Sequence, residues 1–170
     1  MTIKKIISGG QTGADQAALD VAVMLKIPHG GWIPKGRQTE DGPLPDKYQL
    51  QEMPHRAILN VQKQNVLDSD GTIIFSHGNL TGGSALTRKL AKKYLKPWVH
   101  VDLDEVSLSD AVKIIKAWIE KNKIQVLNVA GPRASEDPQV YDEALTFLKA
   151  AIDNIIALDR NEIKLDVAVK

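Results

Sequence analysis

Three short glycine-bearing stretches hold the residues of this 170-residue chain best suited to chemistry: Ser8-Gly9-Gly10-Gln11-Thr12-Gly13, Thr81-Gly82-Gly83-Ser84 and Gly131-Pro132-Arg133. Glycine lets a ligand approach the main chain closely and permits backbone angles that a Cβ forbids. A glycine turn at the start of a helix also presents free N–H groups and the positive end of the helix dipole, which suits phosphate. Gln11, Thr12 and Asp15 add mixed hydrogen-bonding polarity beside the first turn. Ser84 and Thr87, about one helical turn apart, can line a single wall beside the second, and Arg133 is either a phosphate clamp or a loop charge beside the third. The first turn has two open readings: a phosphate cradle, or a plain strand-to-helix turn with Thr12-Gly13-Ala14-Asp15 as a variant capping box. Neither G-x-G-x-x-G nor the Walker pattern is present.

Asp15 would repel a phosphate unless it met a ligand hydroxyl, an amino group or a magnesium ion. The histidines, His29, His55, His77 and His100, have no metal-binding spacing, and there is no cysteine. His77 follows a strand end and is a candidate to face a ligand, with a solvated loop residue as the alternative. His100 reads as a satisfied residue beside the sheet, and Asp68 and Asp70 as turn residues.

The elements that must position these residues alternate. Apolar runs at Ile3–Ile7, Thr72–Phe75, Trp98–Val101 and Val126–Val129 predict strands, and the periodicity after Gly13, His55, Gly83, Ser107 or Ser109, and Asp137-Pro138 predicts helices. In the second of these helices Gln62 falls where the apolar stripe should continue. Alternation of this kind implies an α/β, Rossmann-like, doubly wound and mainly parallel sheet with helices on both faces, and ligands in such sheets bind beyond the carboxyl ends of the strands. Residues 1–160 are expected to form one domain. The tail 161–170 alternates apolar and polar residues and is expected as an edge strand, or one paired with a partner subunit.

Residues 27–54 show no clear periodicity and hold five of the eight prolines. A long ordered excursion of this kind is often a binding loop. The Gly30–Pro45 segment is expected to fold over the glycine turns, with Gly31 and Gly36 as hinges and Lys35 and Arg37 offered to the ligand's negative charge.

Composition bounds the function. A formal net charge of +1, from 22 basic and 21 acidic residues, argues against a duplex-binding protein. No apolar run is long enough for a membrane span and no signal-peptide h-region is visible, so a cytoplasmic protein is expected.

SGGQTGADQAALD, GWIPKGRQTEDGPLP, NVLDSD, LTGGSALT and LNVAGPR, spanning residues 8–133, together resemble the molybdenum cofactor carrier family. That family lies in the Rossmann-like superfamily of the lonely guy phosphoribohydrolases. The resemblance implies binding and carriage of a phosphorylated pterin (molybdenum cofactor, molybdopterin) or a nucleotide-like ligand, by a homo-oligomer, with a molybdoenzyme or cofactor-synthesis protein as partner. The cofactor's own dithiolene holds its metal, so the protein needs a phosphate cradle and hydrogen-bonding walls and no metal cage. The residues expected to serve it are Gly9, Gly10, Gln11, Thr12, Gly13, Asp15, Lys35, Arg37, Gly82, Gly83, Ser84, Thr87, Gly131 and Arg133.

The alternative is a nucleoside monophosphate phosphoribohydrolase. Those relatives share P-G-G-x-G-T-x-x-E, and aligned on Gly82-Gly83 this chain has Thr81 for the proline, Ala85 for the third glycine, Leu86 for the threonine and Lys89 for the catalytic glutamate. Oxocarbenium-like cleavage benefits from a carboxylate near the sugar. Its loss favours a noncatalytic carrier, with Asp15 as the substitute carboxylate under the hydrolase reading. Single-stranded DNA binding, a third reading, lacks the basic, aromatic-studded groove it requires.

Overall fold

The computed structural model describes residues 3–54 and 58–168, without side chains for residues 58, 59 and 160–168. In chain order the main elements are β1 (Lys5–Ile7), α1 (Ala14–Leu25), β2 (His29–Gly30), β3 (Trp32–Ile33), β4 (Gln38–Thr39), β5 (Gly42–Pro43), β6 (Gln51–Glu52), α2 (Ile58–Asp68), β7 (Gly71–Ser76), α3 (Gly82–Lys93), β8 (Trp98–Asp102), α4 (Leu108–Asn122), β9 (Val126–Ala130) and α5 (Val140–Ala168). Five strands form the central sheet in the order β2-β1-β9-β7-β8, and every pair is parallel. The expected Rossmann-like α/β architecture is therefore the one observed.

Burial explains the layering. Ile6, Ile73, Phe75, Val101, Leu127 and Val129 of the sheet pack with the apolar stripes of α1, α4 and α5 in one core. Val66 of α2 with Leu90 and Ala91 of α3 form a smaller cluster, joined by Trp98. Ser107 caps α4 by accepting the Asp110 N–H at 3.2 Å. Asp70 does more than turn the chain: its Oδ2 accepts the N–H groups of Gln125 and Val126 at 2.9 and 2.8 Å, fixing the start of β9 beside β7.

The proline-rich segment is built around its own small core of Leu19, Ile33, Leu44, Tyr48 and Leu50. Its first residues supply the edge strand β2, too short to show periodicity in the sequence. β3 pairs with β6, and β4 with β5 makes a hairpin. Asn65 of α2 clasps the Trp32 backbone, accepting its N–H at 2.8 Å and donating to its carbonyl at 3.1 Å. Arg37 is corrected from ligand contact to loop anchor: its guanidinium donates to the carbonyls of Leu44, Pro45, Tyr48 and Leu50. Gly31 packs closely on the main chain at the exit of β1: a Cβ there would lie 2.1 Å from the Ser8 carbonyl oxygen.

The tail also differs. Residues 161–168, expected as a strand, continue α5 as helix, while Val169 and Lys170 lie outside the described residues. Ile163 and Val167 are four residues apart, as are Leu165 and Val169, so an alternating pattern also satisfies helical spacing. An established helix adds residues more easily than a new strand is nucleated.

One clamp ties the excursion to the main core. Asp20 of α1 accepts the Tyr48 hydroxyl at 2.7 Å and the Tyr141 hydroxyl of α5 at 2.6 Å. Hydrogen bonds to a charged group contribute about 1.5–3 kcal/mol. Asp20→Ala is therefore expected to lower unfolding stability by about that amount in chemical denaturation and to raise amide exchange at residues 44–50. A loss below about 0.5 kcal/mol, within the range of an ordinary surface change, would show that the clamp is incidental.

Candidate functional site

A cavity of about 430 Å³ opens where β1, β7 and β9 end, within the size range of small-molecule sites. It collects Gly9, Gln11, Asp15, Gly83, Ser84, Thr87, Gly131 and Arg133 from all three glycine stretches. Gly10, Thr12, Gly13, Lys35, Arg37 and Gly82 do not line it. Gly10 instead faces Leu50, Leu44 and Ile33 of the loop core, within 3.0 Å of where its Cβ would stand. Lys35 is exposed at the surface. The excursion does cover the strand ends, but through Pro34, Gln38, Thr39 and Glu40.

The two candidate helix termini differ in a way that separates them. At α1 several N–H groups are already engaged: Ala14 N donates to the Pro132 carbonyl at 3.3 Å, Thr12 N to Gln11 Oε1 at 3.0 Å and Gln11 N to Asp15 Oδ2 at 3.3 Å. Asp15 thus reaches back to Gln11, and no capping box forms around Thr12; the N-cap is Gly13, at φ 80°, where no side chain can cap. At α3 the N-cap Thr81 makes no side-chain cap bond. Ser84 is only 5% exposed, and its hydroxyl, which is not among the buried atoms lacking a partner, is open to the cavity that the residue lines.

Two of the wall residues that the sequence reading does not assign left a trace there. Gln62 donates to the Gly83 carbonyl at 3.0 Å, and its buried Oε1 accepts nothing among the described residues. Its sequence signal was the break it makes in the apolar stripe of α2. Asn128, 3% exposed, donates to Thr72 Oγ1 at 3.1 Å and lines the same cavity. An amide inside an otherwise apolar strand was the corresponding signal. Both amides can read the donor and acceptor edge of a heterocycle.

Thr12 and Arg133 have other engagements. Thr12 donates to Glu40 Oε1, and Arg133 pairs with Glu136 at 3.0 Å and with Glu40 at 4.0 Å. His77 lies beside a second cavity, of about 530 Å³, with Nδ1 at 2.7 Å from Asp137 and Nε2 at 3.3 Å from Glu143. Burial acts to lower its pKa, but the two carboxylates outweigh burial and hold it above the usual histidine value. His100 meets Ser76 Oγ at 2.8 Å, and burial holds its pKa down. Among the described residues no cluster of His, Asp or Glu could hold a metal.

Burial pushes the Asp15 carboxyl up to about 7, against the opposing hydrogen bonds from the Gln11 and Gly9 N–H groups. Below neutral pH it is largely a neutral acid that need not repel a phosphate. Because its folded pKa exceeds the unfolded value, the native state binds the extra proton between about pH 4 and pH 7. Stability therefore falls as pH rises through that window, by on the order of 4 kcal/mol at most. Urea unfolding of Asp15→Asn should lack this decline; parallel pH profiles for variant and wild type would contradict it.

Residues 6–152 match the family model described as the circularly permutated YpsA SLOG family. A crystal structure of a candidate molybdenum carrier protein from Syntrophus aciditrophicus SB, at 1.45 Å resolution, is similar to the chain with a TM-score of 0.88 and 54% identity. The match covers 89% of this chain and 96% of that one. A comparison with curated proteins gives no match. The family match encloses every residue of the cavity described above, from Gly9 of the first glycine turn to Glu136 beyond the third. The chain belongs to the circularly permutated YpsA SLOG family.

Proposed function

We propose that this protein binds and carries a small phosphorylated heterocyclic ligand, a pterin such as the molybdenum cofactor or a nucleotide-like molecule. The phosphate sits on the N–H groups at the start of α3 and the ring lies against Gln62 and Asn128. The observation that carries the reading is the pairing of an uncapped α3 terminus, with Ser84 on the cavity wall, and the buried, unsatisfied Gln62 Oε1 in a ring-sized cavity at the strand ends. The unsatisfied Gln62 Oε1 supports a ligand that donates an N–H or O–H there. The name of the similar structure, a molybdenum carrier, agrees with a pterin cargo. Such a cargo would bring its own dithiolene to its metal and ask only for oxygen and nitrogen contacts from the protein. A homo-oligomer and a molybdoenzyme recipient belong to the same proposal.

Gly83 provides the test. A Cβ there would meet only the far end of the Gln62 side chain, at 3.0 Å, so Gly83→Asp should fold while placing bulk and negative charge on the cradle. Calorimetric titration with adenosine monophosphate as probe should show binding to wild type and none to Gly83→Asp at an unchanged melting temperature. Equal affinity would remove α3 from the site.

Asp15 gives the phosphoribohydrolase reading one specific support, since a cavity carboxyl titrating near neutrality suits general acid–base work. Lys89, in the position of the relatives' glutamate, is exposed and does not line the cavity. We expect no release of ribose 5-phosphate from adenosine monophosphate at an enzymatic rate. Turnover abolished by Asp15→Asn would instead make the protein a hydrolase.

A further inference from the structure

Glu40, at the tip of the β4–β5 hairpin, is bound as an anion would be. Its Oε1 accepts the Thr12 hydroxyl and, at 3.0 Å, the Ser135 N–H; its Oε2 accepts the Ser135 hydroxyl. The Arg133 guanidinium lies 4.0 Å from Oε2, and the Glu40 N–H donates to Gln11 Oε1 at 2.9 Å. Thr12, 4% exposed, is fixed in turn by the Ala134 N–H at 3.1 Å. Two hydroxyls, one N–H and one guanidinium thus converge on a carboxylate whose side chain is only 18% exposed. These hydrogen bonds, Ser135 and Thr12 foremost, hold its pKa below the usual glutamate value. The donors come from the β1 and β9 exits and the carboxylate from the segment that roofs the cavity, so the contact joins roof to floor.

We infer that the Thr12–Arg133–Ser135 cradle is a second anion subsite of the ligand cavity, filled by the chain's own Glu40 in the closed protein and by a ligand oxyanion when the hairpin swings out. The inference rests on the cavity being the phosphoryl-ligand site. It gives the ligand two anionic oxygen groups, one on α3 and one on this cradle, as a diphosphate or a phosphate with a remote carboxylate has. Glu40 and Arg133 line the cavity and Thr12 and Ser135 do not, so a ligand group would reach the cradle by taking the place of the Glu40 carboxylate. The hairpin's base is pinned at Arg37 and Leu44, but its strands are two residues each and a Cβ at Gly42, near its tip, would meet nothing within 4 Å. A structural tether and a displaceable latch make opposite predictions. Removing a tether weakens binding by opening the roof; removing a competitor strengthens binding by vacating the subsite.

The test compares wild type, Glu40→Ala and Glu40→Gln in calorimetric titrations with adenosine monophosphate and adenosine diphosphate, with hydrogen exchange of residues 38–43. Glu40→Ala should bind the diphosphate about tenfold more tightly than wild type, with a smaller gain for the monophosphate, and Glu40→Gln should lie between. The hairpin amides of wild type should exchange faster when the diphosphate is bound. Unchanged or weaker diphosphate binding by Glu40→Ala overturns the subsite, even where Gly83→Asp still abolishes binding and the cavity reading stands. If neither nucleotide binds wild type or Glu40→Ala, both the cavity reading and the subsite fall.

Discussion

The close approach of the β1 and β9 exits is the constraint on which the site depends. A Cβ at Gly131 would stand 2.5 Å from the Ala14 Cβ, and one at Gly13 would stand 2.4 Å from the Pro132 carbonyl oxygen. Without those two glycines the exits could not interlock. Because they do, the Pro132 carbonyl takes the first N–H of α1, and the terminus that looks most like an anion site in sequence is closed from within. α3, whose start meets no such backbone neighbour, places Gly83 and Ser84 on the cavity wall. The same interlock carries Arg133 and Ser135 to the rim, where Glu40 is held.

Charge organises the cavity along with shape. Burial raises the Asp15 pKa to about 7, so the cavity floor carries less negative charge than a carboxylate in the sequence suggests. The amides of Gln62 and Asn128 add directional contacts at no cost in charge. The site therefore combines a helix terminus, an acid with a raised pKa and several amides, a set suited to recognition of a heterocyclic phosphate. Among the described residues no helix is long and apolar enough to cross a membrane.

Much of the scaffold was legible because its strands are short apolar runs and its helices carry stripes; the cavity's position followed from glycines at three strand ends. What stayed hidden had physical reasons. β2 pairs through only two residues, so its placement depends on the sheet it joins and not on its own pattern. Lys35 and Arg37 looked equivalent in sequence, yet Arg37 adopts φ 54° and directs its fork into four loop carbonyls. A side chain's destination in an irregular loop is a long-range property. Glu40 left no local trace, since its partners are 28 and 95 residues away. Gln62 and Asn128 did leave one, each being a polar residue where packing asked for an apolar one, and such breaks point to a wall as readily as glycines point to a turn.

The carrier account is tested most directly by native mass spectrometry of the protein purified anaerobically from a host that makes molybdenum cofactor. The account predicts a bound, non-covalent mass equal to a phosphorylated pterin or nucleotide, released on denaturation with phosphorus in the released compound. A protein that emerges from that host with no bound mass, or with a ligand lacking phosphorus, would contradict it.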